Sequence, residues 1–157
     1  MNTIWLLLAL SLTRAEPEIT CQSHETGILV NVRWHELQLC DDGRALARHK
    51  VALGAGGIGK RRMGDGKTPL GRYPLGAPRP SQHFGTFVPV GYPTPAQQNQ
   101  GFTGNAVGIH GPPRGVSGAL GTSVDWTAGC IAVGSDDEIE AISAWVRRMH
   151  IRTVRIE

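Results

Sequence analysis

The stretch GILVNVRWHELQLCDDGRALARHKVAL, residues 27–53, has the period of strands rather than of helices. Leu37 and Leu39 alternate with polar neighbours, the two-residue repeat of a strand with one face buried. Two strands are expected at Gly27 to Arg33 and His35 to Cys40. Asp41-Asp42-Gly43 is a turn signal, because Asp and Gly tolerate the left-handed backbone of a tight hairpin. A third strand, Ala45 to Leu53, follows it, so the segment reads as an antiparallel meander.

Downstream, Gly54 to Pro113 is punctuated by Gly and Pro, and nine of the ten prolines lie between Pro69 and Pro113. Short strands are expected at Gly71–Leu75 and Thr86–Gly91, and no amphipathic helix fits this region. A long helix-free stretch inside a small domain reads as loops that build a site. The tail changes period. Ser135-Asp136-Asp137-Glu138 fits a capping box with acids in the first turn. Ile139, Ile142, Trp145, Val146 and Met149 then follow helical spacing, Arg147 and Arg148 sit where the helix dipole favours cations, and Ile151 to Ile156 reads as a closing strand. A chain of 157 residues fits one core. The expectation is therefore a mainly β domain over residues 16–157, with one C-terminal helix and long Gly/Pro-rich loops.

The first residues are set apart. Ile4 to Leu12 is an apolar run, and Thr13-Arg14-Ala15 places small residues at −3 and −1 of a cut after Ala15. That is the signal-peptide pattern, and the run is too short to span a bilayer. The run has no Lys or Arg before it, and a short buried N-terminal helix is the alternative. Residues 1–15 are thus expected to direct export to the periplasm or cell-wall space, with no stable membrane span after cleavage. Removing them takes out Arg14 and no acid, so the formal charge falls from +3 to +2. With no basic stripe and no interleaved aromatics, nucleic acid is not an expected partner.

Some motifs are decoys. Gly54-Ala55-Gly56-Gly57-Ile58-Gly59 matches G-x-G-x-x-G, but no helix begins there to hold a pyrophosphate, so no dinucleotide is expected. Gly66-Lys67-Thr68 resembles the end of a P-loop, yet the first glycine of that motif would fall on Arg61. No C-x-x-C or H-x-x-x-H pair offers metal ligands, and no cofactor is expected.

Chemistry is concentrated in Val107-Gly108-Ile109-His110-Gly111 and Asp125-Trp126-Thr127-Ala128-Gly129-Cys130-Ile131-Ala132-Val133. The chain has three cysteines; Cys21 with Cys40 is one possible pair, and an odd count leaves a thiol over in an oxidising compartment. A thiol becomes a nucleophile when an imidazole takes its proton, and the imidazole needs a third group to fix its tautomer. Gly129 lets a substrate carbonyl approach the backbone, and N–H groups beside Cys130 are candidates for an oxyanion hole. Thr127 either donates a hydroxyl there or holds the turn. Taken singly, a buried Cys130 and a satisfied loop His110 are the commoner case; together with a free thiol in an exported chain, they point to catalysis. Asp125 reads as a turn former, Trp126 as a packing residue, and His83 lies in the loop-rich region.

The combination I-H-G … T-A-G-C-I-A-V resembles the signature of the L,D-transpeptidase catalytic domain, the YkuD type. Gly64 to Tyr73, GDGKTPLGRY, is similar to that family's T-P-x-G-x-Y/F segment. The resemblance implies a β-sandwich-like catalytic domain with Cys130 as nucleophile, His110 as base and the Gly111 carbonyl as orienting group. Thr127 and Gly129 match flanking positions on the substrate and oxyanion side. It further implies peptidoglycan tetrapeptide stems as substrate and an acyl-enzyme resolved by an amine, giving crosslinks or attachment of a protein to the wall. Hydrolysis of the same bonds by the same thiol is the alternative, and a non-catalytic wall-binding module a further one. Ala128 stands where many members have His, and Ala132 where they usually have Arg or Asn. Arg114, Arg72, Lys67 and Arg79 are the cations available to replace the latter.

Overall fold

The structure, a computed structural model, describes residues 19–115 and 121–157. The stretch read as a signal peptide lies outside these residues. β1 (Gly27–Asn31), β2 (Glu36–Asp41) and β3 (Arg44–Ala52) form the expected antiparallel meander. Asp42 and Gly43 both take positive φ, 45° and 77°, as a tight hairpin turn requires. Val32 and Arg33, expected at the end of the first strand, belong instead to the turn before β2.

Six further strands complete one nine-stranded sheet. They are β4 (Gly71–Pro74), β5 (Arg79–Ser81), β6 (Gly85–Pro89), β7 (Gly108–His110), β8 (Ile131–Val133) and β9 (Thr153–Ile156). The order across the sheet is β4-β9-β1-β2-β3-β8-β7-β6-β5. β3 belongs to both halves: Arg44 to Lys50 pair with β2, while Val51 and Ala52 pair with Val133 and Ala132 of β8. The sheet curls about this strand, and side chains from both halves meet in one core. Ile28, Val30, Leu37 and Leu39 come from one half, and Val88, Ile109, Ile131 and Val133 from the other. This is the sandwich-like, mainly β architecture the sequence leads one to expect.

β1 is buried along its whole length, as its continuous apolar run demands. The chain before it covers its second face: the Ile19 carbonyl accepts from Asn31 Nδ2 at 3.4 Å and the Thr20 carbonyl from Arg155 at 3.0 Å. Cys21 and Cys40 are joined in a disulfide that fastens this cover to β2. Glu25 completes it, its carboxylate accepting from buried Arg155 at 2.7 Å.

Two helices are present among the described residues. The C-terminal helix, numbered α2 (Asp136–Arg148), starts on Ser135, whose hydroxyl accepts from Glu138 N at 3.3 Å. Ile139, Ile142, Trp145 and Val146 are buried as the spacing predicts, whereas Met149 is the C-cap and 39% exposed. α1 (Pro95–Asn99) lies in the region where no helix is expected. It has no buried residue, so no hydrophobic stripe announces it; its start is written as Thr94-Pro95-Ala96-Gln97, a capping box with Pro in the first turn. Among the described residues no helix is long and apolar enough to cross a membrane.

Candidate active site

β7 and β8 run parallel, with Ile109 opposite Ile131 and His110 opposite Ala132. Cys130 immediately precedes β8, so the pairing of β8 with β7 brings the turn that carries it alongside the strand of His110. The two residues are twenty apart in sequence and reach one place because two short strands pair. Cys130 is the free cysteine of the described chain and is half-buried. Its Sγ donates to the Ala106 carbonyl at 3.4 Å, and a backbone hydrogen bond from Gly108 also reaches it. The sulfur therefore lies against the start of the strand that ends in His110.

His110 is 1% exposed. Its Nδ1 is 2.7 Å from the Gly111 carbonyl oxygen. A carbonyl only accepts, so Nδ1 carries the proton and Nε2 is left with the lone pair of a base. The ring is boxed by aromatics: Phe84 stacks on it at 3.7 Å between centroids, and Trp126 meets it edge-on at 5.8 Å. Burial pushes the imidazole pKa down, and the bond to Gly111 offsets part of that. Burial pushes the Cys130 thiol up, against the Gly108 hydrogen bond and the charge of Lys60. Both shifts favour the uncharged forms, of the thiol and of the imidazole.

The turn that presents Cys130 is tied by Thr127. Its hydroxyl donates to the Cys130 carbonyl at 2.7 Å and accepts from Gly129 N at 3.1 Å. The Thr127 hydroxyl and the Gly129 N–H, expected on the substrate and oxyanion side, are thus both engaged within the turn. Gly129 has φ +126°, and a Cβ there would stand 2.5 Å from the Lys67 carbonyl oxygen. Only glycine fits.

The segment 54–68 packs beneath this turn. Ala55 N donates to the Thr127 carbonyl at 2.8 Å, and Gly54 N to Thr68 Oγ1 at 2.8 Å. A Cβ on Gly54 would lie 2.2 Å from the Gly66 carbonyl oxygen. The glycine-rich stretch that imitates a nucleotide motif is a close backbone crossing. Asp65 organises the rest of the segment. Its carboxylate accepts from the N–H groups of Arg61, Arg62 and Lys67 and from Lys60 Nζ at 2.8 Å. Burial pushes the Asp65 carboxyl up, but these donors prevail and hold it far below the usual carboxylate range.

The neighbours separate into those at the site and those away from it. Ala132 is 1% exposed beside His110. Arg114 lies near Gly85, on the side of Phe84, and its N–H donates to the His83 carbonyl at 2.7 Å. Arg79 stacks over Phe87 at 5.2 Å. Arg72, on β4 at the far edge of the sheet, faces Glu25 at 3.9 Å. Asp125 is structural: it accepts from Leu53 N at 2.7 Å and meets His35 Nε2 at 3.0 Å. Phe84 and Lys60, both absent from the sequence reading, are the additions. Neither belongs to a recognisable motif, and each reaches the site from a distant loop. Among the described residues no group of His, Cys, Asp and Glu side chains is arranged to hold a metal ion.

Residues 25–156 match the YkuD family, described as the L,D-transpeptidase catalytic domain. Among solved structures, the helical cell shape determining protein Pgp2 from Campylobacter jejuni is similar, with 27% identity and a TM-score of 0.69 over 83% of this chain and 46% of that one. Bd1075 from Bdellovibrio bacteriovorus shares the fold at 19% identity and TM-score 0.61, over 88% of this chain and 51% of its own. An L,D-transpeptidase from Xylanimonas cellulosilytica does so at 18% identity and TM-score 0.52, over 87% and 62%. The chain thus spans about half the length of the first of these relatives. No curated protein sequence shows significant similarity to it.

Proposed function

The chain belongs to the L,D-transpeptidase catalytic-domain family, whose members act on peptidoglycan, and from that membership we propose that it is an exported cysteine L,D-transpeptidase. In this reading residues 1–15 are a signal peptide, residues 16–157 a single catalytic domain, and the place of action is the periplasm or cell-wall space. The substrate is a tetrapeptide stem, cut after the L-centre of its diaminopimelate.

His110 Nε2 takes the Cys130 proton, and the thiolate attacks the carbonyl carbon. The C–N bond to the terminal D-alanine breaks, and the imidazolium returns its proton to the leaving amine. A thioester on Cys130 remains. An acceptor amine, from a second stem or a wall-attached protein, gives its proton to His110 and attacks the thioester; the new amide forms and the thiol is restored. The Cys130 N–H, next to the committed Gly129 N–H, is in this reading the donor to the oxyanion that develops in both steps.

The observation that carries the proposal is the Nδ1 bond from His110 to the Gly111 carbonyl. It leaves the basic nitrogen with its lone pair, while the sulfur of the free Cys130 lies at the foot of the same strand. The similarity to a cell shape determining protein supports a role in shaping the wall.

The test is incubation of the mature protein with disaccharide-tetrapeptide, followed by mass spectrometry. Wild type is expected to yield crosslinked dimer and free D-alanine, and Cys130→Ala neither. Tripeptide without dimer would replace transfer by hydrolysis, and product formation by Cys130→Ala would remove the thiol from the mechanism.

A further inference from the structure

Lys60 is a buried cation that the thiol–imidazole chemistry leaves unexplained. Its side chain is 4% exposed, and an ammonium so far out of water needs full compensation. Nζ donates to Asp65 Oδ1 at 2.8 Å and to the Arg62 carbonyl at 3.1 Å. Its stem runs under the nucleophile turn, with Cδ 3.7 Å from where a Gly129 Cβ would stand and Cε 3.1 Å from where a Gly104 Cβ would stand. The two missing side chains leave the channel in which the lysine lies.

We propose that Lys60, clamped by Asp65 beneath the Gly129–Cys130 turn, is the positioning cation that stabilises the Cys130 thiolate. This rests on the reading of Cys130 as the nucleophile. Among the described residues Lys60, with Asp65 bound to it, is the charge that acts on the thiol from the segment below, and His110 approaches from β7. Burial disfavours the charged form of His110, which in the proposed mechanism becomes cationic on receiving the thiol's proton. Lys60 is the standing positive charge, and it acts on the thiol in the direction of ionisation. Asp65 has two effects: it holds the ammonium in place and mutes its charge. A purely structural Lys60 would neutralise Asp65 and do nothing to the sulfur.

The experiment reads the thiol directly, as the pH dependence of its alkylation by iodoacetamide in the folded full chain. Lys60→Met keeps the stem and removes the charge; the alkylation midpoint is expected to rise by about one pH unit, making the reaction roughly tenfold slower at neutral pH. Asp65→Asn keeps Lys60 and removes its counter-charge, so the midpoint is expected to fall. Thermal melts establish that each variant is folded. Opposite shifts cannot come from general loosening of the segment. Midpoints that stay at the wild-type value in both variants would overturn the proposal. If Lys60→Met does not fold, Asp65→Asn decides alone, and an unchanged or raised midpoint overturns it. No wall substrate is involved, so a failure of transpeptidation with these shifts present would count against the transferase reading only.

Discussion

His110 depends on what covers it. Phe84 lies flat on the ring at 3.7 Å, and such stacking removes water from one face of the imidazole. In the proposed mechanism the base must be neutral to act, and burial lowers its pKa, so the acid limb of a kcat/KM profile is expected below the ordinary imidazole range. The thiol is pushed the other way, which places the alkaline limb above the ordinary thiol range. Phe84→Ala lets water back to the ring and raises its pKa, and the acid limb is expected to move to higher pH; a pH–rate profile checks it. An acid limb unmoved in that variant would mean that Phe84 is only packing. Phe84 escapes a reading of the sequence because its neighbours in the chain, His83 and Gly85, carry no pattern. Its contact exists only after β6 pairs with β7, with Phe87 opposite His110. Cys130 and His110 stand out in the sequence because each sits within a run of adjacent residues that carries a pattern.

At the scale of elements, the site hangs on a turn and a helix start. A Cβ on Gly111 would stand 3.0 Å from Ile139 Cγ2 and 3.2 Å from Asp136 Oδ1, at the first turn of α2. Gly111→Ala is therefore expected to displace the carbonyl that orients His110, and to lower kcat far more than it lowers Tm. Gly129→Ala meets both a backbone oxygen and a disfavoured φ; it is expected to cost about 3 kcal/mol of stability, read by urea denaturation. The meander and α2 are legible in the sequence because each has enough residues to show a period. β7 and β8 have three each, too few for alternation to be told from chance. α1 has a capping box but no buried face, so only its first turn leaves a trace.

At the scale of the molecule, the disulfide joins residues 19 apart, on the cover of β1 and not on the strands beside the proposed catalytic pair. Closing a loop of that size is worth about 3 kcal/mol. The Cys21→Ser/Cys40→Ser double variant is expected to lose about that much in denaturation while keeping thiol-dependent turnover. The pairing was open in the sequence, since three cysteines allow more than one bond; what settles it is the chain from Ile19 to Glu25 folding back over β1. β9 adds a last constraint. It is the last of the described strands in chain order, yet it lies between β4 and β1, parallel to the latter with Ile28 opposite Val154. The contacts that close the sheet thus join the two ends of the sequence, and contacts so far apart form slowly. Cys130 stands ahead of β9 in the chain, so the proposed nucleophile is present before the strand that completes the sheet.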